Sequence, residues 1–223
     1  DILGAYELVE GWPKPLTALP GHEQWGWSAV QSIFAESPNR VFFTQRGELP
    51  ALVRPSATVL PQSGPGLSFP VGQYPFRNAS QGPAMALPGS FGGGGYPGPF
   101  DRDPNYILAP DQVAHERWQG TVGVDARWEH CIIVVDAEGN ILPETTEVWQ
   151  QWDPLFGYPH YITINPYDPE KHIWVVEAAR HVIYKFTNDG TQLVQTIGTP
   201  NEPGHDATHF NRPTFIDWLP DGT

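Results

Sequence analysis

The sequence has little of what disulfide-linked, nucleic-acid-binding or membrane-spanning proteins need. Its 223 residues include one cysteine, Cys131, which excludes an internal disulfide. Lysine and arginine number 12 against 25 acidic residues, for a net charge of -13, and nucleic-acid binding requires clustered basic side chains. No apolar run reaches the roughly 20 residues that cross a bilayer. We therefore predict no nucleic-acid partner and no membrane insertion.

Glycine and proline are abundant, with 23 and 25 residues, and nine tryptophans accompany them. Both glycine and proline disfavour the interior of helices, so we expect many turns and few long helices. The single cysteine begins the apolar run Cys131–Val135. Because free cysteine is among the most buried residue types, we predict a buried, inert thiol rather than a nucleophile. The chain is long enough for one domain with a sizeable core.

Four short runs rich in β-branched and aromatic residues follow one another near the C-terminal end. They are His160–Asn165, His172–Glu177, His181–Phe186 and Gln192–Ile197. Turn-forming residues separate the runs, and Asn188-Asp189-Gly190 is a strong signal for a tight turn. Four strands joined by short turns match one propeller blade, which we assign to residues 157–198. Residues 211–223 repeat the opening phrase of this segment and are predicted to begin a third blade.

The first blade is predicted in two separated pieces, residues 28–46 and 128–142, after an irregular lead-in at 1–27. Each piece contains two apolar runs separated by a turn signal. Between them, residues 47–127 are rich in glycine and proline, which cannot sustain a strand ladder. We interpret this segment as an insertion crossing a face of the domain; a flexible linker between two domains is the alternative. The predicted fold class is all-β, a propeller with about two to three four-stranded blades in residues 1–223.

Several phrases of the sequence resemble NHL repeats, the units of one class of β-propeller. The matching phrases are Tyr158–Ile164, Ile173–Glu177 and His181–Phe186. Over residues 12–50 and 128–223 the chain resembles the peptidyl-α-hydroxyglycine amidating lyases and their bacterial look-alikes. Gln45-Arg46-Gly47 is similar to the His-Arg-Gly phrase of that family, with glutamine in place of the histidine. The resemblance implies a six-bladed propeller, of which this chain would form an incomplete part.

The resemblance also implies site residues and cofactors. His160 corresponds to one of three histidines that hold the family's zinc, and Arg46 corresponds to an arginine that contacts the substrate carboxylate. The family's structural calcium takes backbone carbonyls that correspond to Ile33 and Ile162. These ligand types are chemically reasonable, because neutral imidazole suits zinc and calcium prefers oxygen atoms. The implied cofactors are therefore zinc and calcium.

Other interpretations of these residues remain open. His160 is also compatible with a polar residue near a central channel, and Arg46 with an ion pair to a nearby carboxylate such as Glu48. Two functions follow accordingly. One is a metal-dependent lyase that cleaves a C–N bond of a carbinolamide in a peptide or small-molecule substrate. The alternative is a non-catalytic NHL propeller that binds a protein, peptide or glycan.

Two further expectations concern the setting of the protein. The first residue is Asp1 rather than Met, which fits the removal of an export signal and also fits a chain shortened at its start. Of these, we favour export and expect an extracellular or periplasmic location. A partial propeller leaves unpaired sheet edges. We therefore expect further C-terminal sequence or a partner chain to complete the propeller.

Overall fold

The computed structural model describes residues 9–50, 58–59, 68–69 and 128–219. Its strands are β1 Trp25–Trp27, β2 Val30–Ser37, β3 Arg40–Gln45, β4 Glu48–Pro50, β5 Thr58–Val59, β6 Ser68–Phe69, β7 Ile132–Val135, β8 Pro159–Ile164, β9 Ile173–Glu177, β10 Val182–Phe186 and β11 Leu193–Ile197. The helical segments are short: Leu16–Ala18 and Trp149–Leu155 are 3-10 helices, and Glu144–Glu147 is one α-helical turn. All the strand pairings are antiparallel, and the predicted all-β class is confirmed.

The C-terminal sheet is a four-stranded meander in the order β11-β10-β9-β8. Each strand pairs with its sequence neighbour, as Val175 does with Ile162 on one side and Tyr184 on the other. The four predicted runs coincide with these strands apart from shifts of single residues at their ends. Gly190 in the β10–β11 turn has a φ of +73°. A β-carbon there would lie 2.7 Å from the Trp149 ring, so both conformation and packing require glycine.

A second, three-stranded sheet has the order β2-β3-β7. Its central pairing sets Phe43 of β3 against Ile133 of β7, which joins residues 28–46 to residues 128–142 across the glycine-rich segment. The strand predicted at Ile141–Leu142 is reduced to an isolated bridge between Ile141 and Val135. Pro143 follows at once, and a proline has no N–H with which to extend a ladder.

The segment assigned to the insertion, residues 47–127, begins within a sheet. Strand β4 pairs with β1, so that Trp27 lies opposite Glu48, and β5 pairs with β6. Because β1 lies in residues 1–27, part of the predicted lead-in is also a paired strand. The remainder of the insertion, residues 51–57, 60–67 and 70–127, lies outside the described residues.

Residues 211–219, the described part of the predicted third blade, contain no strand. They instead cover one face of the C-terminal sheet with aromatic side chains. The ring of Phe215 lies 4.3 Å from that of Tyr161, and the ring of Trp218 lies 5.0 Å from that of Trp174. Side chains of an irregular segment therefore cover this face of the sheet, and residues 211–219 do not pair with it as a strand.

One hydrophobic cluster contains residues of both larger sheets. Phe42 and Ile132 come from the three-stranded sheet, and Ile162 and Phe186 come from the four-stranded one. Trp149, in the connection between the sheets, packs edge-on against Phe42 at 5.9 Å and Phe186 at 5.5 Å. The fully buried Trp149 thus ties the two sheets together. Within the described part of the chain the sheets are open, and none closes on itself.

A guanidinium group provides a polar link between the same two sheets. Arg40, at the start of β3, donates hydrogen bonds to both carboxylate oxygens of Glu144 at 3.0 Å and to Glu36 at 2.6 Å. It also donates to the side chain and carbonyl of Asn188, in the β10–β11 turn, at 2.9 and 2.8 Å. Burial acts to lower the pKa of Arg40, but the hydrogen bonds to Glu144 and Glu36 outweigh burial and raise that pKa.

Candidate functional site

Arg46 and His160 both lie against one tyrosine ring, that of Tyr158. The guanidinium of Arg46 lies 4.6 Å from the centroid of Tyr158, a distance at which a cation is attracted to the ring face. The imidazole of His160 lies 5.2 Å from the same ring. Arg46 follows β3 and His160 belongs to β8, so the fold brings together two residues that the sequence indicated separately.

Arg46 retains hydrogen-bonding capacity at this position. Its Nε atom is buried and has no hydrogen-bond partner within the described ranges. The carboxylate of Glu48, the alternative partner considered for Arg46, lies against His22 and His130. The Tyr158 hydroxyl donates to Gln31 at 3.1 Å, which fixes the ring beneath the guanidinium. Arg46 is therefore held against the Tyr158 ring, with its buried Nε unpaired among the described residues.

The tautomer of His160 follows from its neighbour. Its Nδ1 lies 2.9 Å from the carbonyl oxygen of Thr214. Because a carbonyl only accepts hydrogen bonds, Nδ1 carries the proton, and Nε2 of the neutral ring carries the lone pair. Metal-ligating histidines commonly have this arrangement. In the part of the chain that the structure describes, no group of three metal-ligand side chains includes His160.

Ile33 lies on β2, an edge strand of the three-stranded sheet, and Ile162 lies on β8, an edge strand of the four-stranded sheet. The backbone N–H of Ile162 donates to the Ser32 hydroxyl at 3.3 Å, which brings the two backbones close together. The side chain of Ile33 is exposed and that of Ile162 is buried. The carbonyls predicted to bind calcium therefore belong to two sheets that approach each other here. The calcium site itself stays a prediction.

A second constellation of polar residues was not predicted from the sequence. It consists of His22, Glu48, Glu129 and His130, whose potential ligand atoms all lie within 4.8 Å of one another. We call it the His/Glu cluster. His22 lies in the lead-in, Glu48 begins β4, and Glu129 and His130 precede β7. Glu48, Glu129 and His130 are buried, and His22 is partly buried.

Glu48 lies at the centre of the contacts within the His/Glu cluster. Its Oε1 lies 3.0 Å from Nδ1 of His22 and 2.6 Å from Nδ1 of His130. The two imidazole rings approach each other to 4.7 Å between centroids. An ionised carboxylate only accepts hydrogen bonds, so both Nδ1 atoms carry protons when Glu48 is ionised. The remaining ring nitrogen, Nε2, is then the atom through which each histidine can bind something else.

The backbone around His130 is fixed by two buried side chains. Asp153 accepts hydrogen bonds from the N–H groups of His130 and Cys131, both at 2.8 Å. Gln45 donates to the carbonyl of His130 at 2.9 Å and accepts from the N–H of Ser28 at 3.1 Å. These bonds hold His130 in a left-handed conformation, with φ of 53°. Gln45, where the sequence departs from the family phrase, therefore has a structural role as both donor and acceptor.

The thiol beside this backbone is buried, as predicted. Cys131 is fully buried. Burial, followed by the nearby Asp153 carboxylate, raises the pKa of the thiol well above its ordinary value. Burial likewise raises the pKa of Asp153, against the opposing effect of the backbone hydrogen bonds it accepts. A thiolate nucleophile is therefore disfavoured here.

The sequence is similar to peptide-amidating enzymes. Over 84 residues it is 33% identical to peptidyl-alpha-hydroxyglycine alpha-amidating lyase 1 of Drosophila melanogaster, covering 36% of this chain and 15% of that protein. Over 95 residues it is 30% identical to peptidyl-glycine alpha-amidating monooxygenase B of Xenopus laevis, covering 42% of this chain and 10% of that protein. No protein-family model matches the chain. The resemblance inferred from the motifs is confirmed, and it extends over a small part of each relative.

The described helices are relevant to the prediction that the protein does not insert into a membrane. None of those in residues 9–50, 58–59, 68–69 and 128–219 has the length and hydropathy of a membrane-spanning segment.

Proposed function

We propose that the protein is a metal-dependent lyase that cleaves the C–N bond of a peptidyl α-hydroxyglycine or a related carbinolamide. The proposal includes an NHL-type propeller, with residues 28–46 and 128–142 as one blade and residues 157–198 as the next. Partial identity to the amidating enzymes supports the reaction type, and the four-stranded meander supports the blade. The observation that carries the proposal is the convergence of Arg46 and His160 on Tyr158.

The proposed reaction needs an anion-binding group and control of one proton. The bond between the amide nitrogen and the hydroxyl-bearing carbon breaks, and its electron pair stays with nitrogen. The carbon hydroxyl loses its proton and becomes the aldehyde of glyoxylate, while the nitrogen gains a proton and leaves as a primary amide. The product glyoxylate keeps the substrate carboxylate throughout, so a fixed cation can bind the substrate before and after cleavage.

Arg46 is the proposed contact for that carboxylate. Its partly exposed guanidinium would donate a charge-assisted hydrogen bond, which is stronger than a bond between neutral groups. The ring of Tyr158 would position the guanidinium, so little side-chain entropy would be lost on binding. Tyr158 is in this scheme a positioning residue and Arg46 a binding residue.

His160 is the proposed zinc ligand, through Nε2, because its Nδ1 already faces the carbonyl of Thr214. Zinc with an open coordination position would polarise an oxygen of the substrate as a Lewis acid. The carbonyl oxygens of Ile33 and Ile162 are the proposed protein ligands of a structural calcium, consistent with calcium's preference for oxygen. An extracellular or periplasmic location follows from the proposed family, and cell fractionation checks it.

Glyoxylate release from a synthetic peptidyl α-hydroxyglycine by the full-length, zinc-supplemented protein tests the proposal. We expect Arg46→Ala to raise KM at least about tenfold, the effect of losing roughly 1.4 kcal/mol of binding, and Arg46→Lys to recover part of the loss. Tyr158→Phe is the matched control for Tyr158→Leu, because only the latter removes the ring. Circular dichroism of each variant controls for folding.

Two results would overturn the proposal. One is the absence of glyoxylate release from the zinc-supplemented protein. The other is a KM that Arg46→Ala leaves unchanged. Peptide binding without release would instead support a non-catalytic propeller.

A further inference from the structure

We propose that the His/Glu cluster is a second metal site, separate from His160, which binds one divalent transition-metal ion of the zinc type. The cluster brings two imidazoles and two carboxylates together from residues 22, 48, 129 and 130. It goes beyond the proposed lyase function, because none of these four residues belongs to the set inferred from the resemblance. His160 contacts Tyr158 and Thr214 instead.

The spacing of the donor atoms suits a single ion. All four potential ligand atoms lie within 4.8 Å of one another. Around a tetrahedral zinc, with bonds of about 2.0–2.2 Å, neighbouring ligand atoms are about 3.3–3.5 Å apart. Because Glu48 faces Nδ1 of both rings, it would orient the histidines, while Nε2 of His22, Nε2 of His130 and a carboxylate oxygen of Glu129 would bind the ion.

The second observation is a buried ring nitrogen that lacks a partner. Nε2 of His130 is fully buried and has no hydrogen-bond partner in the part of the chain that the structure describes. Leaving a buried polar atom unsatisfied costs about 1–3 kcal/mol. Because Nδ1 of the same ring faces Glu48 at 2.6 Å, Nε2 of the neutral ring is a lone pair. A metal ion is the kind of ligand that would satisfy it.

Hydrogen bonds also fix the backbone and the ring of His130 before any ion binds. Asp153 and Gln45 fix its backbone through hydrogen bonds of 2.8 and 2.9 Å. The carboxylate of Glu48 fixes the ring, as the carboxylates that orient metal-bound histidines do. His130 is therefore pre-organised, and little conformational entropy would be lost when an ion binds.

The donor types select the class of ion. Imidazole nitrogen suits zinc, copper, nickel and iron, whereas calcium and magnesium prefer an all-oxygen set. Two carboxylates supply the negative charge that balances a divalent ion. We therefore expect the cluster to bind Zn²⁺ or Co²⁺ and to discriminate against Ca²⁺ and Mg²⁺.

A network of protonated histidines paired with glutamates is the competing explanation of the same geometry. His22, Glu48 and Glu129 each make further interactions, so the metal proposal depends on His130 and on the shape of the cluster. The two explanations differ in one measurable respect. A metal site binds an ion stoichiometrically and releases protons as it does so, whereas a pure ion-pair network does neither.

The test is a titration of the full-length protein with Co²⁺ and Zn²⁺ after removal of metals with a chelator. Visible absorption reports the Co²⁺ coordination, and calorimetry in two buffers reports the protons released. We expect His130→Gln to weaken binding at this site at least tenfold and to remove about one equivalent of metal. The milder variant Glu129→Gln guards against misfolding, and its effect should be in the same direction. His205→Gln, at an exposed histidine, is the control and should leave binding unchanged.

The outcome is independent of the lyase proposal. His160→Ala should abolish glyoxylate release and leave the His/Glu cluster's equivalent of Co²⁺ in place. The metal proposal is overturned if the wild-type protein binds no Zn²⁺ or Co²⁺ stoichiometrically at neutral pH. It is equally overturned if folded His130→Gln and Glu129→Gln variants both bind as the wild type does.

Discussion

Nδ1 of His130 lies 2.6 Å from Oε1 of Glu48, although 82 positions separate the two residues. Both side chains have no exposed surface. Glu48 accepts a second contact from His22 at 3.0 Å, so its carboxylate joins the lead-in to the segment before β7. Removing one partner of a buried charge leaves that charge uncompensated, so the stability of the folded protein depends on these contacts of Glu48.

Replacing Glu48 should destabilise the protein. Glu48→Gln removes the charge between two imidazoles and leaves one or both buried nitrogens poorly paired, so we expect a loss of about 2–4 kcal/mol in the free energy of unfolding. Glu170→Gln is the matched control, because Glu170 contacts His172 at 3.2 Å while its side chain is 74% exposed. Urea denaturation measures both. Equal effects of the two substitutions would contradict the account of the His/Glu cluster.

Asp153 should be as important for the backbone of this region. Its two oxygens accept the N–H groups of His130 and Cys131, and Asp153→Ala would leave both donors unsatisfied. We expect a loss of about 2–4 kcal/mol in unfolding free energy, at 1–2 kcal/mol for each lost bond. Amide hydrogen exchange should show faster exchange at His130 and Cys131 in particular. Unchanged protection at these two amides would refute the proposed clamp.

Arg40 should contribute to holding the two larger sheets together. Arg40→Ala removes its hydrogen bonds to Glu36, Glu144 and Asn188, and we expect a loss of about 1–3 kcal/mol in unfolding free energy. Arg40→Lys keeps the charge but not the forked geometry and should recover less than half of that loss. Thermal unfolding measures the series. A lysine variant as stable as the wild type would show that charge alone matters.

The loop before residue 211 contains a pH-sensitive pair. Hydrogen bonds from the backbone of Thr208 and from His209 lower the pKa of Asp206 to about 2. The hydrogen bond to Asp206 in turn raises the pKa of His209. The carboxylate's stabilising contribution is present above its unfolded value near 3.9 and is lost as pH falls toward 2. The imidazolium's contribution is present below its ordinary pKa and is lost as pH rises through the raised value.

An NMR titration of the histidine ring protons checks this pair. Asp206→Asn should lower the pKa of His209 toward its ordinary value. Glu202→Gln, which removes a more distant carboxylate at 3.5 Å, should lower it less. The assignment fails if the pKa of His209 is the same in the wild-type protein and in Asp206→Asn.

The sheet of residues 159–197 could be predicted because its information is local. β-branched runs alternate with turn residues such as Gly190, and each strand pairs with its sequence neighbour. The short helices Glu144–Glu147 and Trp149–Leu155 were not predicted. Pro154 lies inside the second, and proline is a signal against a helix. Strand β4 was missed because it opens a segment dominated by glycine and proline.

The two candidate sites also differ in how far the sequence could predict them. Arg46 and His160 were found because each lies in a short phrase that resembles a family motif. The His/Glu cluster had no such signal, since His22, Glu48 and the Glu129-His130 pair lie in three segments that sequence patterns treat separately. Only the pairing of β1 with β4 and of β3 with β7 brings these segments together.

The most direct test of the central proposal, metal-dependent lyase activity, is glyoxylate release before and after metal removal. The account predicts that the chelated full-length protein releases no glyoxylate above background and that Zn²⁺ restores release. It also predicts that Zn²⁺ fails to restore release in His160→Ala. Full activity in the chelated protein, or no activity in the zinc-loaded protein, would contradict it.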